Sequence, residues 1–210
     1  MSHSDRSQTI LSTHTRTTPG SFPETHSIFD GLGRRKYLTR AERAAFLDAA
    51  RNAPQTVATL CTVLAYTGCR LSEALATTPE RIDADTGVIV FETLKRRRGG
   101  VFRAIPIPES LARQLREAHE LTPGRPLWPC SRVTAWRRIK SVLRLAGVAG
   151  PHASPKGLRH AFGVLALQDG VPLTSVSRWL GHARLSTTAI YANVVGEEER
   201  AFARKFWNGF

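Results

Sequence analysis

Residues 155–191 read PKGLRHAFGVLALQDGVPLTSVSRWLGHARLSTTAIY, and this stretch decides the fold. Leu158, Phe162 and Leu165 recur at helical spacing and point to a core. Pro155 sits at a favoured first position of a helix that should run to about Gln168. Lys156 and Arg159 are three residues apart, so they share one face of that helix. A second helix is expected from Leu173 to Leu180, ended by Gly181, with His182 just beyond it. A third, capped by Ser186, should run to about Val195 and carry Tyr191. Taken singly, each polar residue here has an ordinary reading. Lys156 and Arg159 fit a solvated basic face, His182 a structural histidine, and Tyr191 a packed ring with a bonded hydroxyl.

Working back towards the N-terminus, helices are expected over about 131–146 and 109–121. Before them the period changes. Residues 81–83, 87–93 and 101–107 are rich in Val, Ile and Phe and read as strands, the last two joined by the basic turn Arg96-Arg97-Arg98-Gly99-Gly100. Further back, Thr39 and Glu42 form a capping box that opens a helix to about Arg51. Pro54 suits the first position of the next helix, which ends at Gly68, and a short helix follows over 70–76. The expected fold is mainly α with a small antiparallel β-sheet, an α+β domain over residues 37–196. Residues 1–36 are rich in Ser and Thr, show no apolar period, and are expected to be a disordered arm. The tail, 197–210, reads as a last helix. Its stripe of Ala201, Phe202, Phe206 and Trp207 docks either on a neighbouring protomer or back on its own domain.

Composition narrows the function. Of the 210 residues 30 are Lys or Arg and 17 Asp or Glu, a net charge of +13, and 25 of the 30 basic residues are arginine, the side chain suited to bidentate phosphate contact. A polyanion partner is favoured, nucleic acid before anionic membrane. Arg34, Arg35 and Lys36 could meet a DNA backbone or form a solvated charge run. No apolar stretch is long enough to span a bilayer, and the first residues lack the layout of a signal peptide. Three cysteines, Cys61, Cys69 and Cys130, without metal-ligand spacing argue against a disulfide or zinc scaffold and fit a reducing cytoplasm.

The motifs say more together than apart. Thr67-Gly68-Cys69-Arg70-Leu71-Ser72-Glu73 puts an arginine at a helix start with a glutamate three residues on, placed to orient its guanidinium. Lys156 then stands three residues before Arg159-His160, Leu180-Gly181-His182 follows 23 residues after Arg159, and Tyr191 lies nine beyond His182. In this order and spacing, residues 37–196 resemble the catalytic domain of the tyrosine recombinases, the phage integrase family. The resemblance implies that Arg70 and Arg159 grip the scissile phosphate of double-stranded DNA. It implies that His182 donates to a non-bridging oxygen and that Tyr191 attacks phosphorus to form a 3′-phosphotyrosyl bond. Glu73 and His160 would support these groups. Lys95 would protonate the 5′ leaving oxygen, while Arg96, Arg97, Arg98 and Arg103 face backbone phosphates, the first three reading equally well as a solvated turn. No metal, cofactor or ATP is implied, since the arginines take the electrostatic role that metals take elsewhere.

Two departures from the family stand out. Position 156 more often holds histidine; Lys156 could be a phosphate donor that lowers the phenol's pKa or, neutral, the base itself. The N-terminal clamp domain of full-sized relatives has no counterpart in 36 such residues, as in the small fimbrial-switch invertases. An accessory protein is one source of the missing grip. The expected activity is site-specific recombination or integration by a homo-tetramer on paired sites, through a Holliday junction, in a bacterial cytoplasm. Two rivals are a type IB topoisomerase-like relaxing enzyme and a non-catalytic DNA-binding relative. The presence of all six catalytic-type side chains weighs against the second.

Overall fold

A computed structural model describes residues 27–94 and 100–193, with 200, 203, 204 and 207. Eight helices and three strands lie among them. Helix α1 (Arg40–Arg51) opens with the expected capping box: the Thr39 hydroxyl accepts the Glu42 N–H, and Glu42 Oε2 accepts the Thr39 N–H. Helix α2 (Gln55–Thr67) is the central element. Val57, Leu60, Cys61, Val63, Leu64 and Ala65 are all buried, because the helix packs between α1, α4 and α6. Pro54 is its N-cap rather than its first helical residue, and Gly68 ends it. Helix α3 (Leu71–Leu75) starts immediately beyond, so Arg70 stands at a sharp corner between two helices.

Strands β1 (Ile82–Asp83), β2 (Val88–Glu92) and β3 (Phe102–Pro106) form one antiparallel sheet in the order β1-β2-β3. Phe91 pairs with Arg103 and Ile89 with Ile105, and all four side chains face inward. Helices α4 (Glu109–Ala118), α5 (Arg132–Leu145), α6 (Pro155–Gln168), α7 (Leu173–Leu180) and α8 (Ser186–Ala189) follow. The helix expected from Ser186 to about Val195 changes form within the described residues: α8 tightens into a 3-10 turn at Ile190–Asn193 that holds Tyr191. Most of the core is one cluster built on α1, α2, α4, α5 and the sheet. A smaller cluster of Ile28, Val164, Val176, Leu180, Ile190 and Tyr191 sits between α6 and α7.

Residues 27–36, expected as part of a disordered arm, are folded onto the domain. Ile28 is buried in the small cluster, Phe29 bridges Arg35, and Asp30 closes the turn by accepting the N–H of Leu32 and Arg34. The basic run there is also used internally. Arg34 pairs with Asp30, Arg35 grips Glu42 through two bonds of 2.5 and 2.6 Å, and Lys36 donates to Ser27 O. In the tail, Trp207 is exposed; Ala201, Phe202 and Phe206 lie outside the described residues. No helix among the described residues is long and apolar enough to cross a membrane.

Candidate active site

Arg159 lies in the middle of α6 with its guanidinium buried. Nη1 donates to Gly68 O at 2.8 Å and Nη2 to Leu180 O at 2.6 Å, so one side chain fastens the ends of α2 and α7. Burial first, and then the charge of Arg70, bring it down to about 10, which leaves it cationic at neutral pH. Each terminal nitrogen carries two N–H groups, and one of each pair is taken by a carbonyl.

Arg70 is more accessible, with 26% of its side chain exposed, and is aimed by a fully buried carboxylate: Nη1 donates to Glu73 Oε1 at 2.8 Å. Glu73 Oε2 accepts the Arg70 backbone N–H and Arg103 Nη2. Burial would push the Glu73 carboxyl up; Arg103 and Arg70 more than offset it and hold it below its ordinary value.

His182 follows Gly181 at the end of α7, its Nδ1 2.7 Å from the hydroxyl of the buried Thr188 on α8. Burial, then Arg159 and Arg70, push the imidazole down to about 3, so it is neutral. A neutral ring that accepts the Thr188 O–H at Nδ1 carries its proton on Nε2, the form needed to donate to an oxyanion.

Tyr191 closes the site. Its ring stacks on His182 at 6.2 Å and meets His160 edge-on at 5.7 Å, and its hydroxyl lies 3.1 Å from His160 Nδ1. Burial raises the phenol above its ordinary value, and Arg159 and Arg70 are near enough to act against this without overcoming it. The cations that favour the phenolate are therefore the two arginines. Lys156 is exposed at the start of α6, and the group bonded to the hydroxyl is His160. Burial, then Lys156 and Arg159, bring His160 down to about 4, and its buried Nε2 has no hydrogen-bond partner among the described residues.

Three features escaped the sequence reading. One is the bond from His160 to Tyr191. The second is Gly163, one turn after Arg159 on the same face of α6. A Cβ there would stand 2.5 and 2.6 Å from Tyr191 Cε2 and Cδ2, so the ring lies directly on the helix backbone. A glycine in a helix interior, costing about 1 kcal/mol against alanine, was the available signal. Gly163→Ala should keep the helix and displace the ring, cutting single-turnover cleavage by about a hundredfold with little change in DNA affinity. An adduct rate near that of the parent would show that the ring can shift at no cost.

The third is Arg103, expected on the DNA. Its side chain is only 4% exposed and its guanidinium is bonded to Glu73, Thr93 and Trp179, because residue 103 points to the inner face of β3. It is not available to a phosphate backbone. Lys95, Arg96, Arg97 and Arg98 lie outside the described residues.

The family model of the phage integrases matches residues 36–198. The chain belongs to the phage integrase family. Tyrosine recombinase XerD of Pseudomonas aeruginosa is 38% identical over 151 residues, covering 65% of this chain and 49% of the relative. Tyrosine recombinase XerA of Thermococcus kodakarensis is 30% identical over 180 residues, covering 81% of this chain and 62% of the relative. The chain thus spans about half the length of most of the curated relatives it matches. The crystal structure of XerA recombinase superposes with a TM-score of 0.68 at 24% identity, over 81% of this chain and 64% of that one. The catalytic domain of bacteriophage HP1 integrase gives 0.61 at 21% identity, over 81% of this chain and 94% of that one. These likenesses show the fold: a helical tyrosine recombinase catalytic domain with a small antiparallel sheet.

The site also sets a pH dependence. His160 and His182 are held near 4 and 3 in the folded chain, against an ordinary value of 6.5. Below 6.5 the unfolded chain binds protons that the folded chain does not, so stability is full above that pH and falls as pH drops towards 4. The expected slope is about 1.4 kcal/mol per histidine per pH unit in that window. Denaturant titrations at pH 7, 6 and 5 measure it. A flat profile would mean that neither imidazole is held neutral.

Proposed function

We propose that this integrase is the catalytic unit of a site-specific DNA recombinase. The observation that carries the reading is the convergence of Arg70, Arg159, His182 and Tyr191 around one buried corner, with the charges of both arginines acting on the phenol. Phosphoryl transfer needs positioning and charge stabilisation more than covalent help. Arg70 and Arg159 would hold two non-bridging oxygens of the scissile phosphate, and neutral His182 would donate from Nε2 to one of them. Tyr191 Oη would attack phosphorus as its proton passes towards His160 Nδ1, while Lys95 would give a proton to the departing 5′ oxygen. The products are a 3′-phosphotyrosyl bond and a 5′-hydroxyl.

The phosphodiester energy stays in the new bond, so a 5′-hydroxyl from a second duplex can reverse the step without ATP, and two such exchanges pass through a Holliday junction. The two arginines and His182 supply the charge stabilisation, which supports a metal-independent reaction. Double-stranded DNA is the substrate, a homo-tetramer on paired sites is the working assembly, and the DNA-rich cytoplasm of a bacterium is its place. The tail stripe and an accessory protein are the routes by which protomers and DNA would be held. A type IB topoisomerase-like activity shares the chemistry but not the paired site.

Nicked duplexes tiled across the DNA flanking the gene test this. A covalent protein–DNA adduct on a denaturing gel, formed in EDTA and confined to particular sequences, is the expected result. Relaxation of any supercoiled plasmid without sequence preference would favour the topoisomerase reading, and no adduct on any duplex would overturn the proposal.

A further inference from the structure

A charged side chain on the inner face of a strand needs an explanation, because burying it is unfavourable unless every partner is in place. Along β3 the inward positions are Arg103 and Ile105, and a branched apolar residue would satisfy the first more simply. Arg103 instead spends its donors on three separate segments. Nη1 donates to Thr93 Oγ1 at 3.0 Å, at the root of the β2–β3 hairpin and two residues before Lys95. Nη2 donates at 2.6 Å to Glu73 Oε2, on the carboxylate whose other oxygen aims Arg70. Nε donates at 2.7 Å to Trp179 O.

The last bond is informative. Helix α7 ends with its carbonyls unpaired in the usual way. Two of them, Trp179 O and Leu180 O, are taken by guanidinium groups, the first by Arg103 and the second by Arg159. The Arg103 side chain also lies against Gly181, where a Cβ would stand 3.1 Å from Nε and 3.2 Å from Cζ. His182 is the next residue. The hairpin root, Arg70 and the backbone in front of His182 therefore meet on one planar group, braced from behind by Phe91 at 5.6 Å.

We propose that Arg103 is a positioning residue of this site: its buried guanidinium fixes the hairpin that carries Lys95, the carboxylate that aims Arg70, and the turn that presents His182. This rests on the strand-transfer reading. Lysine cannot replace it, because one ammonium on a flexible stem does not hold three acceptors in a fixed plane.

Arg103→Lys keeps a counter-charge for the buried Glu73, and Thr93→Val removes only the hairpin bond. Both are compared with the parent chain in single-turnover cleavage of a nicked duplex that gives adduct. The same duplex is used with its 5′-bridging oxygen replaced by sulfur, which leaves as thiolate without a proton. Melting temperature and DNA affinity are measured alongside. Arg103→Lys should cleave the ordinary duplex about a hundredfold more slowly with affinity unchanged, and sulfur should recover part of that loss. Thr93→Val should lose about tenfold and recover nearly all of it with sulfur, since only the acid is misplaced. If Arg103→Lys does not fold, the sulfur response of Thr93→Val decides. A fall in melting temperature with unchanged cleavage, or equal loss on both duplexes for Thr93→Val, would overturn the positioning role. That outcome leaves strand transfer standing; a parent chain that forms no adduct on any duplex overturns both.

Discussion

Tyr191→Phe should form no covalent adduct with any nicked duplex, while DNA affinity stays within about twofold of the parent. The phenyl ring keeps its place in the small cluster with Ile28, Val164 and Leu180, and its stack on His182, so packing is unchanged. What is lost is the hydroxyl and its bond to His160 Nδ1. Among the described residues both nitrogens of a buried imidazole are then unpartnered, because Nε2 already has none. The cost to stability should be about 1–3 kcal/mol, enough to read in denaturant titration and too little to unfold the chain. The effect on chemistry should be total, since the lost hydroxyl is the proposed nucleophile. A phenylalanine variant that still becomes attached to DNA would move the nucleophile elsewhere and dissolve the assignment of this corner as the active site.

How much of this was legible in the sequence depends on how local the signal is. The capping box at Thr39 and Glu42, the stop at Gly68 and the alternation through Ile89 and Phe91 each reflect chemistry within a few residues, and each stands where it was read. Arg70, Arg159, His182 and Tyr191 were singled out by their order and spacing, although no local rule separates any one of them from a solvated or packed residue; the fold brings them to one corner. Arg103 was placed on the DNA together with Arg96 to Arg98 of the same hairpin, on the family resemblance. The alternation of Arg103 with Ile105 and Ile107 placed it on the inner face and was the better guide. The contact between His160 and Tyr191 joins residues 31 apart through the packing of α6 against a 3-10 turn, which only the folded chain displays. Residues 27–36 lacked a period because they form a turn held by one apolar anchor, Ile28, and by the carboxylate of Asp30.

Lys95→Ala tests the group that the family resemblance alone assigns. An alkoxide is a poor leaving group, and the 5′ oxygen must gain a proton as its bond to phosphorus breaks. An ammonium can supply one near neutral pH far more readily than a guanidinium, which singles out Lys95 among Arg96, Arg97 and Arg98. The alanine variant should therefore cleave ordinary DNA more slowly by about two to four powers of ten, the range for a lost general acid. With sulfur at the 5′-bridging position the same variant should regain most of the parent rate, because a thiolate departs unprotonated. Arg70→Ala and Arg159→Ala should gain little from that change. Their guanidinium groups would stabilise charge on the non-bridging oxygens, which sulfur at the leaving position does not relieve. Arg159→Ala should also lose stability, since it frees the carbonyls of Gly68 and Leu180 inside the fold. The pattern across the three variants separates proton delivery from charge stabilisation in one experiment. Sulfur rescue of a Lys156 variant but not of Lys95→Ala would place the acid at the exposed start of α6, and leave Lys95 as a phosphate contact.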